Sequence, residues 1–237
     1  MNKVKLHTLW LLGMLFLMTA CGDDDDYYYP SVKLEFVTVK AGADGLIQSL
    51  LPDKGELLTV AKDRTGSTIS PNSARRVISN YEVNPEDATA VIYSLQSVVA
   101  PEPKEADDPA FEGGLKYDPV DVTSIWLGRD YLNMILNVKI NINSGKQHVF
   151  GMIEESVEVE GDETVVTLSL FHDANGDEEN YNRRAYISVP LTKYVDEENP
   201  HQTIRIKFKY HTTDKNGVVV ESSKYCDPGF EYVPGVN

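Results

Sequence analysis

Residues 132–143 read Leu132-Asn133-Met134-Ile135-Leu136-Asn137-Val138-Lys139-Ile140-Asn141-Ile142-Asn143. Every even position is apolar, and every odd position except Ile135 is polar. Successive side chains of a β-strand point to opposite faces, so a period of two puts the even set on one buried face. The pattern returns at Ile204, Ile206, Phe208 and Tyr210 against Arg205, Lys207, Lys209 and His211. It returns again at Ala185, Ile187, Val189 and Leu191 against Arg184, Tyr186 and Ser188. Gly161-Asp162, Asn175-Gly176 and Asn216-Gly217 supply residues that tolerate the backbone of tight hairpin turns. Strands with one apolar face are satisfied by packing two sheets together, so residues 120–237 are expected to form an antiparallel β-sandwich.

Upstream, residues 31–100 hold five shorter runs of strand character. Val32 to Val39 comes first, followed by Gly45 to Leu51, Glu56 to Val60, Arg76 to Val83 and Ala88 to Val99. Pro52-Asp53-Lys54-Gly55 and the stretch Asp63 to Asn72 break them. Five short strands suit a small Greek-key barrel or a compact sheet. Residues 101–119 change character, with Pro101, Pro103, Pro109, Gly113, Gly114 and Pro119 in an acidic setting. They read as a linker or long connection. The fold class is therefore all-β in two parts, with no internal repeat and no long helical period after the first twenty residues.

Composition limits what such a chain does. Its 237 residues carry 22 Lys+Arg against 37 Asp+Glu, a net charge of −15, with 41% hydrophobic and 25% charged residues. That balance excludes a disordered chain, a collagen-like repeat and a multi-span membrane protein. Nucleic acid is excluded as a partner because its binding is dominated by neutralisation of phosphates. The 2 cysteines build neither a disulfide framework nor a Cys-rich zinc site.

The start of the chain is an address. Residues 1–20 have a basic opening at Lys3 and Lys5 and an apolar run from Leu9 to Met18. That run is too short for a spanning helix of roughly 20 residues but fits the core of a secretory signal. Leu17-Met18-Thr19-Ala20-Cys21 resembles a bacterial lipobox, which implies cleavage before Cys21 and lipidation of the Cys21 thiol. Several acyl chains there would hold the protein stably at a membrane. Residues 21–30 continue with Asp23 to Asp26 and Tyr27 to Tyr29, a self-repelling solvated tether. The acidic run resembles the segment that marks surface-exported lipoproteins of the Bacteroidetes, which implies an outer-membrane protein facing outward.

Chemistry is harder to find. Asp173, Asn175 and Asp177 have the spacing of the first ligands of a calcium loop, but Glu178 stands where glycine is needed and Arg184 where a bidentate Glu is needed. A polar hairpin turn explains the same residues. The stripe Arg205, Lys207, Lys209 and His211 reads either as an anion site or as a strand face paired with acids such as Glu158 and Glu160. The stripe Asn133, Asn137, Asn141 and Asn143 reads as a sugar-contacting face or, more commonly, a solvated outer face. Cys226, left without a partner once Cys21 is lipidated, reads as a reactive or intermolecular thiol or, more commonly, as a small buried apolar residue. No nucleophile elbow, zinc-protease helix, phosphate loop or dinucleotide fingerprint is present. His148, His172, His201 and His211 are scattered along the chain, so no catalytic group and no cofactor are expected.

Several segments resemble one family in order and spacing. They are Asp23 to Ser31, Arg76-Val77, Asn80-Tyr81, Asp118-Pro119-Val120, Ile125-Trp126-Leu127-Gly128, Asp130-Tyr131-Leu132-Asn133, Leu168 to Asp173 and Arg184 to Leu191. Together they resemble the NigD-like lipoproteins of the Bacteroidetes. The resemblance implies an N-terminal OB-type barrel, a C-terminal β-sandwich and no established activity. It casts Leu132 as a core residue and Asn133 as one that ties off a turn. The function expected from the sequence is a non-enzymatic, membrane-anchored binding or accessory module for a glycan or protein partner. Tyr27 to Tyr29, Phe111, Tyr117, Tyr181 and Tyr194 are the candidate glycan aromatics. The alternatives are a bacteriocin-immunity or envelope-stress factor, suggested by the family's name, and a hydrolase with a site between the domains.

Overall fold

The computed structural model describes residues 32–160, 163–177, 181–200 and 202–235. The signal segment, Cys21 and the acidic tether lie outside the described residues, as do Glu178 and His201.

The first five strands are β1 (Val32–Ala41), β2 (Ile47–Pro52), β3 (Leu58–Asp63), β4 (Ala74–Asn84) and β5 (Thr89–Ser97). They close into a barrel in the order β1-β2-β3-β5-β4. Closure depends on β1, which pairs with β4 from Val32 to Lys40 and with β2 from Val37 to Ala41. A register shift at Lys40/Ala41 gives β1 the bend a barrel corner needs. The barrel fills with Val37, Val39, Ile47, Leu50, Leu58, Val77, Tyr81, Ala90 and Ile92. Tyr81 is buried and its hydroxyl donates to Glu35 at 2.9 Å, so its polar tip is satisfied.

The remaining strands are β6 (Pro103–Glu105), β7 (Asp121–Gly128), β8 (Tyr131–Ile140), β9 (Val149–Glu160), β10 (Glu163–Asp173), β11 (Tyr181–Pro190), β12 (Ile204–Thr213) and β13 (Val219–Tyr232). They form a five-stranded sheet, β13-β12-β10-β9-β6, and a three-stranded sheet, β11-β8-β7. Leu132, Met134, Leu136 and Val138 meet Ile204, Ile206, Phe208 and Tyr210 in the core between the sheets. Ile140 is only half-buried and Ile142 is exposed, because β8 ends at Ile140. Most pairings are antiparallel, but β10–β12 and β6–β9 are parallel. The first follows from the path of the chain: β11 crosses to the other sheet, and β12 returns beside β10 in the same direction.

Residues 101–119 are packed rather than free. Pro103 to Glu105 adds a short strand beside β9, and Phe111 sits against Ile153 and Phe171. Lys116 to Asp118 runs beside the end of β10, where His172 N–H donates to the Lys116 carbonyl and Asp118 N–H donates to the His172 carbonyl.

The barrel packs on the outer face of the three-stranded sheet. Phe36, Ile78 and Val98 of the barrel side meet Trp126, Ile135 and Tyr186. The Phe36 and Trp126 rings meet edge to face, 5.4 Å between centroids. This corrects the reading of the Asn stripe as a solvated outer face. At Asn133, which is 0% exposed, that face is covered by the barrel. It also explains Ile135, the one apolar residue among the odd positions.

Candidate functional site

The seam between barrel and sandwich contains a closed polar ring. Arg76 leaves β4 among apolar neighbours and is 5% exposed. Its Nε donates to Ser188 Oγ at 2.9 Å, and its Nη2 donates to Asn133 Oδ1 at 3.1 Å and to the Asp53 carboxylate. Ser188 Oγ donates to Asn133 Oδ1 at 2.6 Å, and Asn133 Nδ2 donates to Asp53 Oδ2 at 2.7 Å. The guanidinium lies 4.2 Å from the centroid of the Tyr131 ring. Beside it, the Arg129 guanidinium donates to the carbonyls of Pro52 and Gly55, pinning the β2–β3 loop to the β7–β8 turn. Asn133 therefore ties the two domains together, which corrects its expected part in closing a turn. Both Asp53 oxygens are engaged. The ring and the aromatic cluster fill this part of the seam.

Next to the ring the seam opens into a groove of about 1070 Å³. Arg75, Gln96 and Ser97 of the barrel form one wall; Val138, Ile140 and Phe150 contribute to the other. Arg183, Arg184 and Lys146 also line it. At its end lies a histidine pair that sequence reading missed. His148 Nδ1 and His172 Nε2 are 2.9 Å apart, and His172 Nδ1 is 2.9 Å from the Asp118 carbonyl. A carbonyl only accepts, so His172 carries its proton on Nδ1 and accepts from His148 through Nε2. Burial pushes the His172 imidazole below its ordinary value; the Asp118 carbonyl opposes this, and His148 adds to it. His148 Nε2 faces Asp177 Oδ2 at 3.4 Å. Both ring nitrogens of His172 are occupied, so the pair braces β9, β10 and the 116–118 segment.

Local sequence carries no signal for this pair, because it depends on the register of β9 against β10, which shifts at Thr167/Leu168. That register brings the start of β9 opposite the end of β10, where Phe150 faces His172 and Val149 faces Asp173; the expected turn at Gly161-Asp162 lies outside the described residues.

The other candidate residues fall as follows. Asp173 accepts from the Asn175 backbone N–H, Asp177 accepts from the Asn141 N–H, and Asn175 donates its side-chain N–H to the Gln147 carbonyl. These oxygens brace the turn, and no group of three or more potential metal ligands forms among the described residues. Arg205 pairs with Glu163 and Lys209 with Glu155, so these two members of the basic stripe meet acidic residues of the same sheet. His211 stacks on Tyr117. Phe111 is buried, and Tyr194 donates to Glu154 at 2.5 Å; burial, then Glu154, push its hydroxyl far up. Tyr181 is exposed. Cys226 is half-buried with its thiol near the Phe208 carbonyl, and burial pushes the thiol up.

A closed five-stranded barrel joined through a buried polar ring to a β-sandwich defines a two-domain all-β protein of the OB-plus-sandwich class. Residues 36–98 match the family model described as the NigD-like N-terminal OB domain, and residues 103–222 match that of the NigD-like C-terminal beta sandwich domain. The chain belongs to the NigD-like family.

A solved structure of a NigD-like immunity protein from Bacteroides caccae is 70% identical, with a TM-score of 0.78, covering 88% of this chain and 100% of that one. A candidate toxin-related protein from Parabacteroides distasonis shares the fold at 16% identity, TM-score 0.65, covering 86% of this chain and 94% of that one. A candidate lipoprotein from Bacteroides fragilis does so at 12% identity, TM-score 0.57, covering 87% of this chain and 100% of that one. No curated protein matches the chain. The family is not a known enzyme family.

Proposed function

We propose that the chain is an immunity-type protein of the bacterial envelope, which protects its host by binding a toxin-class protein without catalysing a reaction. The observation that carries this reading is the 70% identity, over 88% of the chain, to a protein described as a NigD-like immunity protein. The lipobox at Cys21 supports an envelope anchor, and a membrane-tethered binder sits where an arriving toxin must pass. The seam supports the same reading. A fully bonded ring at Arg76 fixes barrel and sandwich as one rigid platform, and rigid platforms present binding surfaces with little ordering cost.

This reading is preferred to that of a glycan-binding accessory module. A glycan reader needs exposed aromatic faces beside polar groups. Of the candidates among the described residues, Phe111 is buried in its own cluster, the Tyr194 hydroxyl is engaged by Glu154 and Tyr117 stacks with His211, so Tyr181 is a single exposed ring rather than part of a platform.

The test is protection. The gene is deleted in its host and restored either intact or as Cys21→Ala, and each strain is challenged with bacteriocins from neighbouring strains. The deletion strain should become sensitive, intact protein should restore resistance, and Cys21→Ala should restore little. Unchanged sensitivity across a broad bacteriocin panel contradicts the reading.

A further inference from the structure

The groove beside the seam runs along an open sheet edge. Strand order β11-β8-β7 leaves β11 at the margin of its sheet. Val99 covers part of that edge: its N–H donates to the Tyr186 carbonyl, and its carbonyl accepts from the Ser188 N–H. Residues 186 and 188 therefore turn their backbone groups away from β8. By the alternation of an antiparallel ladder, Arg184 and Asn182 turn theirs outward too. Among the described residues, the edge beyond Val99 thus offers a row of backbone donors and acceptors to the groove.

The walls of the groove are of two kinds. Arg184 lies on the face of β11 that carries Tyr186 toward the barrel, and Arg75 stands across from it on β4. The opposite face carries Arg183, level with Val138, and continues to Ile140 and Phe150, which pack against the sandwich core. Among the described residues, Arg75, Arg183 and Arg184 form no ion pair, in a chain whose net charge is −15. Lys146 adds a fourth cation, donating to the Gly176 carbonyl, while Asp177 at the end of the groove is turned to His148.

We infer that this groove is a strand-addition site for an extended acidic segment of a protein partner. The segment would continue the ladder from Val99 along β11. Because strand side chains alternate, a segment of alternating acidic and apolar residues turns its carboxylates to Arg75 and Arg184 and its apolar groups to Val138, Ile140 and Phe150. The inference rests on the reading of the chain as a protein binder and adds where the partner docks and what it presents.

The probe is a capped peptide of alternating Glu and Val, about ten residues long to match a strand of this length. It is titrated against the full chain in detergent. Two further versions carry backbone N-methyl groups, on every Glu in one and on every Val in the other. Only one set of amides faces β11, so one version should lose affinity by at least about tenfold and the other should bind nearly as the parent. A Lys-Val peptide, and the Arg75→Glu/Arg184→Glu variant with the parent peptide, should each show a loss of about tenfold or more, and binding should weaken with salt.

No binding of the parent peptide, equal binding of both methylated versions, or an unchanged affinity in the double variant overturns the proposal. Displacement by polygalacturonate together with indifference to methylation would make the groove a site for acidic polysaccharide instead, and also overturns it. The methylation comparison uses the unaltered protein, so it stands even if the double variant misfolds. If the peptide fails while the protein still protects its host, the groove assignment falls alone. If the peptide binds while deletion leaves bacteriocin sensitivity unchanged, the immunity reading falls alone.

Discussion

Arg76 Nε and Ser188 Oγ are 2.9 Å apart although 112 positions separate the two residues in the sequence. The bond joins the barrel to the sandwich inside a ring in which Asp53, Asn133 and Ser188 are all engaged. The Arg76 side chain is 3% exposed and that of Asp53 13%, so water does little to screen either charge. Removing one partner leaves the other charge buried and unpaired. Arg76→Leu should therefore cost about 3–5 kcal/mol, while Arg76→Leu/Asp53→Leu should recover much of that loss. Urea unfolding of the single and double variants checks this; additive losses would mean that the two residues act independently.

Gly128 is where backbone must approach that ring. A Cβ there would lie 2.1 Å from Asp53 Oδ2 and 2.5 Å from Asn133 Nδ2. Neither atom is free to swing aside, because each is bonded to the other. Gly128→Ala should destabilise the protein by about 1–3 kcal/mol through overpacking. With Asp53→Ala already present, the added cost should shrink. Thermal melts of the two single variants and the double variant measure the coupling.

His172 sets a pH dependence of definite sign. Burial holds its folded-state value below the ordinary one of about 6.5, so the unfolded chain binds the proton more readily. The stabilising contribution is complete above about pH 6.5 and is lost as pH falls through the folded-state value. Melting temperatures measured from pH 8 down to pH 5 should fall more steeply in the native protein than in His172→Gln. Parallel curves would assign the acid sensitivity to other groups.

The sandwich core and the exposed start of β1 should respond in opposite ways to the same truncation. Leu136 is 0% exposed and Leu34 is 70% exposed. Leu136→Ala should cost about 2–5 kcal/mol, and Leu34→Ala no more than about 0.5 kcal/mol. Denaturant midpoints decide the matter.

The elements were legible where burial is one-sided. The even positions of β8 and β12 fall in the core because alternation records which face avoids water, and the turn residues mark where strands reverse. Docking of a second domain was less legible. Asn133 and Ser188 look like outer-face residues until the barrel covers them, since a polar residue satisfied by a buried partner and one satisfied by water read alike. Ile135 was the available hint. Segments that carried the family resemblance, at Arg76, Gly128, Tyr131, Asn133 and Ser188, meet at this one interface. The His148–His172 pair needed strand register, and the open edge of β11 needed sheet order; neither is written in local composition.

The claim that the chain protects by binding, without turnover, is tested most directly by a neutralisation titration. A bacteriocin that kills the deletion strain is mixed with increasing amounts of the purified chain, and residual killing is read after short and long incubation. The account predicts loss of killing at a fixed molar ratio near one, unchanged by incubation time and accompanied by an intact complex of the two proteins. Neutralisation by a small fraction of an equivalent, deepening with time and leaving altered bacteriocin, would contradict it.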